Sequence, residues 1–279
     1  MVGANMWGYL PLCLSALLAG TVGAEVLVLV LNQPSGTERF LQVALFVVLS
    51  VNLLGNVCQF VRNDPSIRGV FLHPVLAHGW RFCDHCETQV PPRSTHCFAC
   101  DVCVLRRDHH CTFLSTCVGF ANYRYFMGGL ATLWACLLFS VIVNGQIMGI
   151  LLLRDGLGLR SLFCFLVPWL MWLIGQLDSV SFVFTFVADT CVVALLFVSV
   201  LLVLHVWLLM HGQTATEWRH GDWGTQRSIL YMLRSWLGHR WYLVALSPFI
   251  RSEVPGNGTE PGIPVPSPHL LQSRGSKEM

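Results

Sequence analysis

Charged residues are scarce in this sequence. Asp, Glu, Lys and Arg together make up 11% of the 279 residues, whereas hydrophobic residues make up 54%. A soluble domain typically carries about 25% charged residues, so the composition argues against a water-soluble globular protein. The net charge of +2 is also small and gives no support for binding to nucleic acid.

Positive charge is missing from the N-terminus in particular. Residues 1–8 contain neither Lys nor Arg, and Lys277 is the only lysine in the chain. A secretory signal peptide has a positively charged n-region followed by an apolar stretch of about 7–15 residues. The apolar run that follows here is longer than that, so we expect a retained membrane span and not a cleaved signal peptide.

Long apolar runs, by contrast, are plentiful. Four are long enough to cross a bilayer, which takes about 20 residues, and they cover roughly 9–31, 40–61, 125–153 and 180–211. A shorter run at 162–177 holds Pro168, which is typical of an interfacial or re-entrant segment. The predicted fold class is an all-α membrane protein with four transmembrane helices.

Arginine is concentrated in two segments outside these runs. Residues 62–124 carry seven arginines and residues 212–279 carry six. Positive residues favour the cytosolic side of a membrane, so both segments and both termini are predicted to be cytosolic. We expect transmembrane helices 1 and 2 within 1–61, a cytosolic module at 62–124, transmembrane helices 3 and 4 within 125–211, and a cytosolic tail at 212–279.

Cysteine is unevenly distributed. Seven of the twelve cysteines lie between residues 83 and 117, where a reducing cytosol makes a metal site or catalysis a better explanation than disulfides. The pattern C-x2-C-x9-H-x6-C occurs there twice, with an offset of 14 residues. The first copy consists of Cys83, Cys86, His96 and Cys103, and the second of Cys97, Cys100, His110 and Cys117.

Each copy offers three thiolates and one imidazole, a closed tetrahedral set typical of structural zinc. We therefore predict that the cytosolic module lies between the second and third spans and binds two structural zinc ions, which build the fold and perform no chemistry. Spacing alone does not fix ligand connectivity, and Cys100 with Cys103 would permit a different pairing. A set of unrelated buried thiols is the other alternative.

The ligand repeat has no third copy. That copy would need ligands at positions occupied by Cys111, Leu114, Arg124 and Ala131. Asp108, His109 and Cys111 are therefore left outside both sets. Because alternate residues of an extended chain point to one side, His109 and Cys111 would face one way while His110 turns to its metal.

These leftover side chains are in the order acid, base, nucleophile. Asp108 would orient His109 and favour its charged form, and His109 would take the proton of Cys111 to leave a reactive thiolate. Alternatively, Asp108 and His109 are solvated loop residues. The motif lies close to the start of the third span, where a fatty acyl thioester could lay its chain among the helices.

The polar carrier of such a thioester would remain in the cytosol. Arg93, Arg106 and Arg107 are candidates for binding the phosphates of that carrier. Membrane topology and solvation explain each of these arginines equally well.

The sequence Asp-His-His-Cys at residues 108–111, inside this cysteine frame, resembles the DHHC protein S-acyltransferases, or palmitoyltransferases. The resemblance is close from Cys83 to Phe126. Members of this family bind two structural zinc ions, attack fatty acyl-CoA with the motif cysteine and pass the acyl group to a substrate protein. The resemblance implies that Cys111 is the nucleophile, His109 its base and Asp108 the residue that orients the base.

The function implied is that of a protein-cysteine S-palmitoyltransferase. Fatty acyl-CoA would be the co-substrate, and the partners would be the lipid bilayer and substrate proteins with membrane-proximal cysteines. We expect a multi-pass protein of an endomembrane, Golgi or ER, with its active site facing the cytosol. The alternative is a catalytically weak, membrane-anchored zinc scaffold that recruits protein partners.

Several positions depart from the family pattern, and two of them bear on the choice between enzyme and scaffold. After the last span the family has Thr-Thr-x-Glu, and residues 214–217 read Thr-Ala-Thr-Glu. The family's second threonine helps to hold the motif aspartate, and the Ala215 side chain cannot donate that hydrogen bond. After the motif, Phe113 stands where the family has tryptophan. Both departures leave room for the scaffold alternative.

Overall fold

The structure, a computed structural model, describes residues 9–70, 79–155, 158–221, 228–244 and 246–259. Over these ranges the chain is mostly helical. The α-helices are α1 (Leu10–Leu31), α2 (Thr37–Arg62), α3 (Tyr123–Asp155), α4 (Leu159–Leu166), α5 (Pro168–Leu173), α6 (Ser179–His211), α7 (Ala215–His220) and α8 (Ile229–Leu237). The strands are β1 (Arg81–Cys83), β2 (Thr88–Val90), β3 (Thr95–Cys97), β4 (Val102–Val104), β5 (His109–Cys111) and β6 (Thr116–Val118).

Four helices among the described residues are long and apolar enough to cross a membrane. They are α1, α2, α6 and the part of α3 from Tyr123 to Gln146. At 1.5 Å per residue, the 22 residues of α1 extend about 33 Å, close to the hydrocarbon thickness of about 30 Å. The predicted four-helix membrane fold, with the cysteine-rich module between the second and third spans, is confirmed.

The shorter apolar run at 162–177 does not form one long helix. It is divided between α4, which ends at Leu166, and α5, which begins at Pro168. Proline lacks an N–H and its ring clashes with the preceding turn, so the helix is interrupted at Val167. Helices of eight and six residues are far shorter than the roughly 20 residues that a span needs, as expected for this run.

The described chain divides into two compact units. One takes the residues up to Val57, Met127–Leu204 and 246–248, and its core is formed by apolar side chains of the long helices such as Val30 and Val143. Within this unit, the Asn144 side chain donates a hydrogen bond to Glu25 Oε2 over 3.2 Å, whereas Glu25 Oε1 has no hydrogen-bond partner among the described residues.

The other unit takes Cys58–Phe126, His205–Val244 and the residues from Phe249 onwards. It contains all six strands with α7 and α8. Its two small core clusters mix apolar side chains with the cysteines of the ligand repeat, namely Ile67, Val90, Cys103 and Leu105 in one and Cys97, Val102, Val104 and Cys117 in the other. A core this small needs further cross-links to be stable.

The segment after residue 248 packs within this second unit. The Arg124 guanidinium donates hydrogen bonds to the carbonyl groups of Ile250 and Ser252. Gly238 has a φ of +91°, and a Cβ at this position would clash with the Ser252 hydroxyl. Only glycine therefore fits this close approach between the end of α8 and the segment after residue 248. The hydrogen bonds from Arg124 fasten the same segment to the start of α3.

Candidate active site and metal centres

The cysteine-rich module consists of three β-hairpins with the same backbone plan. β1 pairs with β2, β3 with β4 and β5 with β6, all antiparallel. Equivalent pairs recur every 14 residues along the chain, namely Cys83 with Thr88, Cys97 with Val102 and Cys111 with Thr116. Each turn contains one left-handed residue at the same place, Glu87, Asp101 and Ser115, with φ of 49°, 51° and 50°. The backbone repeat thus has three copies, although the ligand repeat has two.

The first ligand set is assembled as the repeat predicts. Its four ligand atoms lie within 4.8 Å of one another. The His96 Nδ1 atom lies 3.8, 3.3 and 3.9 Å from the sulfur atoms of Cys83, Cys86 and Cys103. With Zn–S near 2.3 Å and Zn–N near 2.0–2.1 Å, the N···S edge of a zinc tetrahedron is about 3.6 Å. These donors therefore fit a tetrahedral zinc ion.

The second set has the same geometry. The His110 Nδ1 atom lies 3.7, 3.3 and 3.8 Å from the sulfur atoms of Cys97, Cys100 and Cys117. The Cys100 and Cys117 sulfur atoms are 3.7 Å apart, close to the S···S edge of about 3.8 Å in a zinc tetrahedron. These distances favour the interleaved sets over a site that combines Cys100 with Cys103.

Each candidate zinc site joins two neighbouring hairpins. The first takes two cysteines from the β1–β2 hairpin, and its other two ligands, His96 and Cys103, face each other across β3 and β4. The second takes two cysteines from the β3–β4 hairpin, and His110 and Cys117 face each other across β5 and β6. Because isolated two-stranded hairpins are marginally stable, two bound metal ions would fasten the three hairpins in a row.

The third hairpin ends this series. Cys111 stands where Cys83 and Cys97 stand in the earlier hairpins, and Leu114 occupies the place of the second thiol. The chain then leaves β6 and enters α3. Cys111 is buried, with 8% of its surface exposed, and it belongs to neither ligand set.

Asp108 and His109 lie next to this thiol. The His109 Nδ1 atom is 2.6 Å from Asp108 Oδ2, the Asp108 side chain is completely buried and the His109 side chain is 23% exposed. Burial opposes the charged form of His109, but hydrogen bonds with Asp108 and Cys111 outweigh that effect and raise the pKa of His109 to about 9. The structure thus brings together the acid, base and thiol that the sequence had put in order.

The start of α7 holds Asp108 in place. The Ala215 N–H donates to Asp108 Oδ1 over 2.9 Å, and the Thr216 N–H and hydroxyl donate to the Asp108 carbonyl over 3.0 and 2.5 Å. A capping box fixes this helix start, because Thr214 and Glu217 exchange hydrogen bonds. The alanine side chain cannot donate, as expected, but the backbone N–H of the same residue does.

The three arginines that the sequence nominated lie in different surroundings. Arg93 makes two hydrogen bonds to the Glu217 carboxylate, at 2.5 and 2.8 Å, and so braces the capping box. Arg106 lies over the Trp236 ring, 4.2 Å from its centroid, and donates to the Ser235 carbonyl. Arg107, in contrast, lines a cavity of about 180 Å³.

This cavity borders the candidate catalytic histidine and is rich in basic groups. It is lined by Arg107, His109, His110, Thr216, Arg219 and His220. Sequence reasoning missed Arg219 and His220, because only the fold of α7 brings them beside the motif. It also missed His205 of α6, whose Nδ1 atom is 3.8 Å from Asp108 Oδ2. An ionisable residue within a membrane span is a functional candidate by default, which is the signal that could have identified His205.

Comparisons with known proteins match this chain to one family. The profile of the DHHC palmitoyltransferase family matches residues 77–222, just over half of the chain. The chain is 46% identical to the protein named "Probable palmitoyltransferase ZDHHC24" of Homo sapiens over 255 residues, which cover 89% of each chain. The proteins of the same name in Danio rerio and Mus musculus are 43% and 42% identical, over 265 and 255 residues. These alignments cover 89% of this chain and 88% and 89% of the two relatives.

Proposed function

Because the chain belongs to the DHHC palmitoyltransferase family, we propose that it moves a palmitoyl or similar fatty acyl group from acyl-CoA to its own Cys111. The acyl group then passes to a cysteine of a substrate protein. The observation that carries this proposal is the connected set of Asp108, His109 and Cys111, in which a thiol outside both ligand sets meets an imidazole anchored by a buried carboxylate.

The first half-reaction loads the enzyme. His109 takes the proton from Cys111, and the thiolate attacks the carbonyl carbon of the acyl-CoA thioester. A new bond forms between this carbon and the Cys111 sulfur while the bond to the CoA sulfur breaks. The CoA thiolate leaves and receives the proton from His109, so the step needs no oxidant or reductant.

The second half-reaction transfers the acyl group onwards. A substrate thiol gives its proton to His109 and attacks the Cys111 thioester, and the Cys111 sulfur leaves and regains the proton. In both halves Asp108 orients the imidazole and stabilises its positive charge, while the Ala215 N–H holds the carboxylate. Zinc ions held by the two Cys3His sets would supply structural cross-links. The proton transfers are carried out by His109.

We assign the phosphates of CoA to the basic cavity beside His109. Guanidinium groups bind phosphate with charge-assisted hydrogen bonds, and Arg107 and Arg219 both line this cavity. Arg93 is engaged by Glu217 and Arg106 by Trp236 and the Ser235 carbonyl. Of the three arginines predicted from the sequence, we favour Arg107, because it is the one that lines this cavity.

The active site is proposed to face the cytosol of an endomembrane. The arginine-rich segments on both sides of the second pair of spans support this orientation. Substrates would then be proteins whose cysteines lie close to the cytosolic membrane surface, because the fatty acyl chain keeps the donor at the bilayer.

A glycosylation sequon in the tail, Asn257-Gly258-Thr259, tests the orientation. We expect the expressed protein to show no glycosidase-sensitive shift in mobility, because a cytosolic tail is out of reach of the glycosylation machinery. The matched control is Leu159→Asn, which creates an Asn-Arg-Ser sequon on the opposite side and should produce such a shift. A shift in the native protein that disappears in Asn257→Gln would contradict the four-span orientation.

Metabolic labelling tests the chemistry. Cells that express the protein are fed a clickable palmitate analogue, and we expect a label on the protein that hydroxylamine removes, as for a thioester. Cys111→Ser should carry no label at equal expression. Cys58→Ser, which removes an exposed thiol elsewhere, should be labelled like the native protein.

Two outcomes would count against the proposal. Full hydroxylamine-sensitive label and transferase activity in Cys111→Ser would remove Cys111 from the mechanism. A native protein that holds about two zinc ions and never becomes labelled would favour the membrane-anchored zinc scaffold instead.

A further inference from the structure

A second histidine lies beside the motif carboxylate. His205 belongs to α6, and its side chain is 7% exposed. Its Nδ1 atom lies 3.8 Å from Asp108 Oδ2, and among the described residues this buried atom has no hydrogen-bond partner. The ring of Phe126 packs edge-on against the rings of both His205 and His109, with centroids 4.8 and 5.2 Å apart. The two imidazoles are therefore held on one aromatic side chain, close to the same carboxylate.

The carboxylate has capacity for a further donor. The Asp108 side chain is completely buried, and a buried charge is costly unless hydrogen bonds compensate it. His109 is the partner of Oδ2, and the Ala215 N–H donates to Oδ1. An ionised carboxylate can accept about four hydrogen bonds, so Oδ2 can take a second one from the unpaired Nδ1 of His205.

A shared metal ion is a poorer explanation for this cluster. Asp108, His109 and His205 do place potential ligand atoms within 4.8 Å of one another. However, Asp108 Oδ2 and His109 Nδ1 are only 2.6 Å apart, whereas ligands of one tetrahedral zinc ion lie about 3.3–3.5 Å apart. The short distance is that of a hydrogen bond.

We propose that His205 is a positioning residue, whose Nδ1–H donates to Asp108 Oδ2 and so fixes the carboxylate that orients His109 toward Cys111. The inference rests on the proposed function, because His205 acts only through Asp108 and His109. The present separation of 3.8 Å is longer than a hydrogen bond. Catalytic hydrogen bonds that are long without substrate often tighten in the substrate complex.

The test uses the purified full-length protein in detergent and palmitoyl-CoA. His205→Leu removes the donor from an apolar helix, and His205→Asn returns an N–H close to the position of Nδ1. We expect His205→Leu to slow Cys111 acylation at saturating palmitoyl-CoA by about tenfold or more, with an unchanged KM, and His205→Asn to restore most of the rate. His211→Leu, an exposed histidine of the same helix bonded to the Trp207 carbonyl, should react like the native protein.

The order of the variants separates positioning from packing. If His205 merely fills space, leucine should be tolerated better than polar asparagine, and that order would overturn the inference. A native acylation rate in His205→Leu would also overturn the inference. So would a native protein that holds three zinc ions and a His205→Leu protein that holds two, because His205 would then be a metal ligand. Rates are expressed per mole of protein that holds two zinc ions. Should His205→Leu not fold, His205→Phe provides a donor-free ring for the same comparison. Failure of the native protein to become acylated would instead contradict the proposed function.

Discussion

The first two hairpins of the cysteine-rich module and the third share one backbone plan and differ in what surrounds the first cysteine of the turn. Cys83 and Cys97 each meet a second thiol in their own hairpin and a histidine and cysteine from the next. Cys111, at the equivalent place, meets Leu114 in its own turn, and α3 follows where a fourth hairpin would stand. The same position therefore belongs to a ligand set in two hairpins and lies outside both sets in the third.

The difference shows how a structural repeat can leave one cysteine outside its ligand sets. A zinc ligand set needs two consecutive hairpins, so the first thiol of the last hairpin has no fellow ligands for a metal ion. The groups near Cys111 are of another kind. His109 comes from the same strand and contacts Asp108, and N–H groups at the start of α7 hold Asp108 in place. Two bound metal ions would stabilise the row of hairpins, and the chemistry proposed for the third hairpin depends on these hydrogen bonds.

The largest expected effect, on zinc content and folding, comes from replacing the first cysteine of each hairpin turn by alanine. Cys83→Ala and Cys97→Ala should each lose one of about two zinc ions and misfold, because structural zinc contributes about 10–16 kcal/mol, as much as the whole stability of a typical domain. Cys111→Ala should keep both ions and remain monodisperse. The number of zinc ions per protein and the size-exclusion profile are measured for all three variants. A Cys97→Ala protein that folds with two ions, or a Cys111→Ala protein that loses one, would contradict the distinction between the hairpins.

Adjacent histidines in β5 give the next test. His109→Ala should reduce the rate of Cys111 acylation by about 10²–10⁴ through loss of the general base and leave both zinc ions in place. His110→Ala should lose one zinc ion, since its Nδ1 lies within 3.8 Å of three sulfur atoms. Single-turnover acylation and zinc content are measured on both proteins. The opposite pattern would mean that the two histidines have exchanged roles.

The parts of the site that follow local rules were predictable from sequence. Zinc requires four ligands of limited types, so a repeated spacing identified both sets, and strand alternation placed His109 and His110 on different sides. The third hairpin was missed because the repeat was traced through its ligands. The turn residues that also mark it, Glu87, Asp101 and Ser115, share a left-handed conformation and little chemistry.

Contacts that depend on distant chain segments could not be predicted. His205 is almost one hundred residues from Asp108, and the packing of a helix against the motif decides whether they meet. The same holds for the Arg93–Glu217 ion pair. The expectation for Ala215 was incomplete for a different reason. It compared side chains with those of the family and did not consider the backbone N–H of Ala215, which donates to Asp108.

The smallest expected effect concerns this alanine, and it measures how well the third hairpin is already supported. Ala215→Thr adds the hydroxyl that the family usually has, beside a carboxylate that the Ala215 N–H already meets at 2.9 Å. A single further hydrogen bond is worth about 0.5–1.5 kcal/mol, so we expect acylation to become about two- to tenfold faster, with both zinc ions retained. Ala215→Val has nearly the same shape without the hydroxyl and should give no gain. Equal rates in the two variants would show that the hydroxyl does not reach Asp108, and a gain above about 100-fold would show that the native carboxylate is held poorly by the backbone alone.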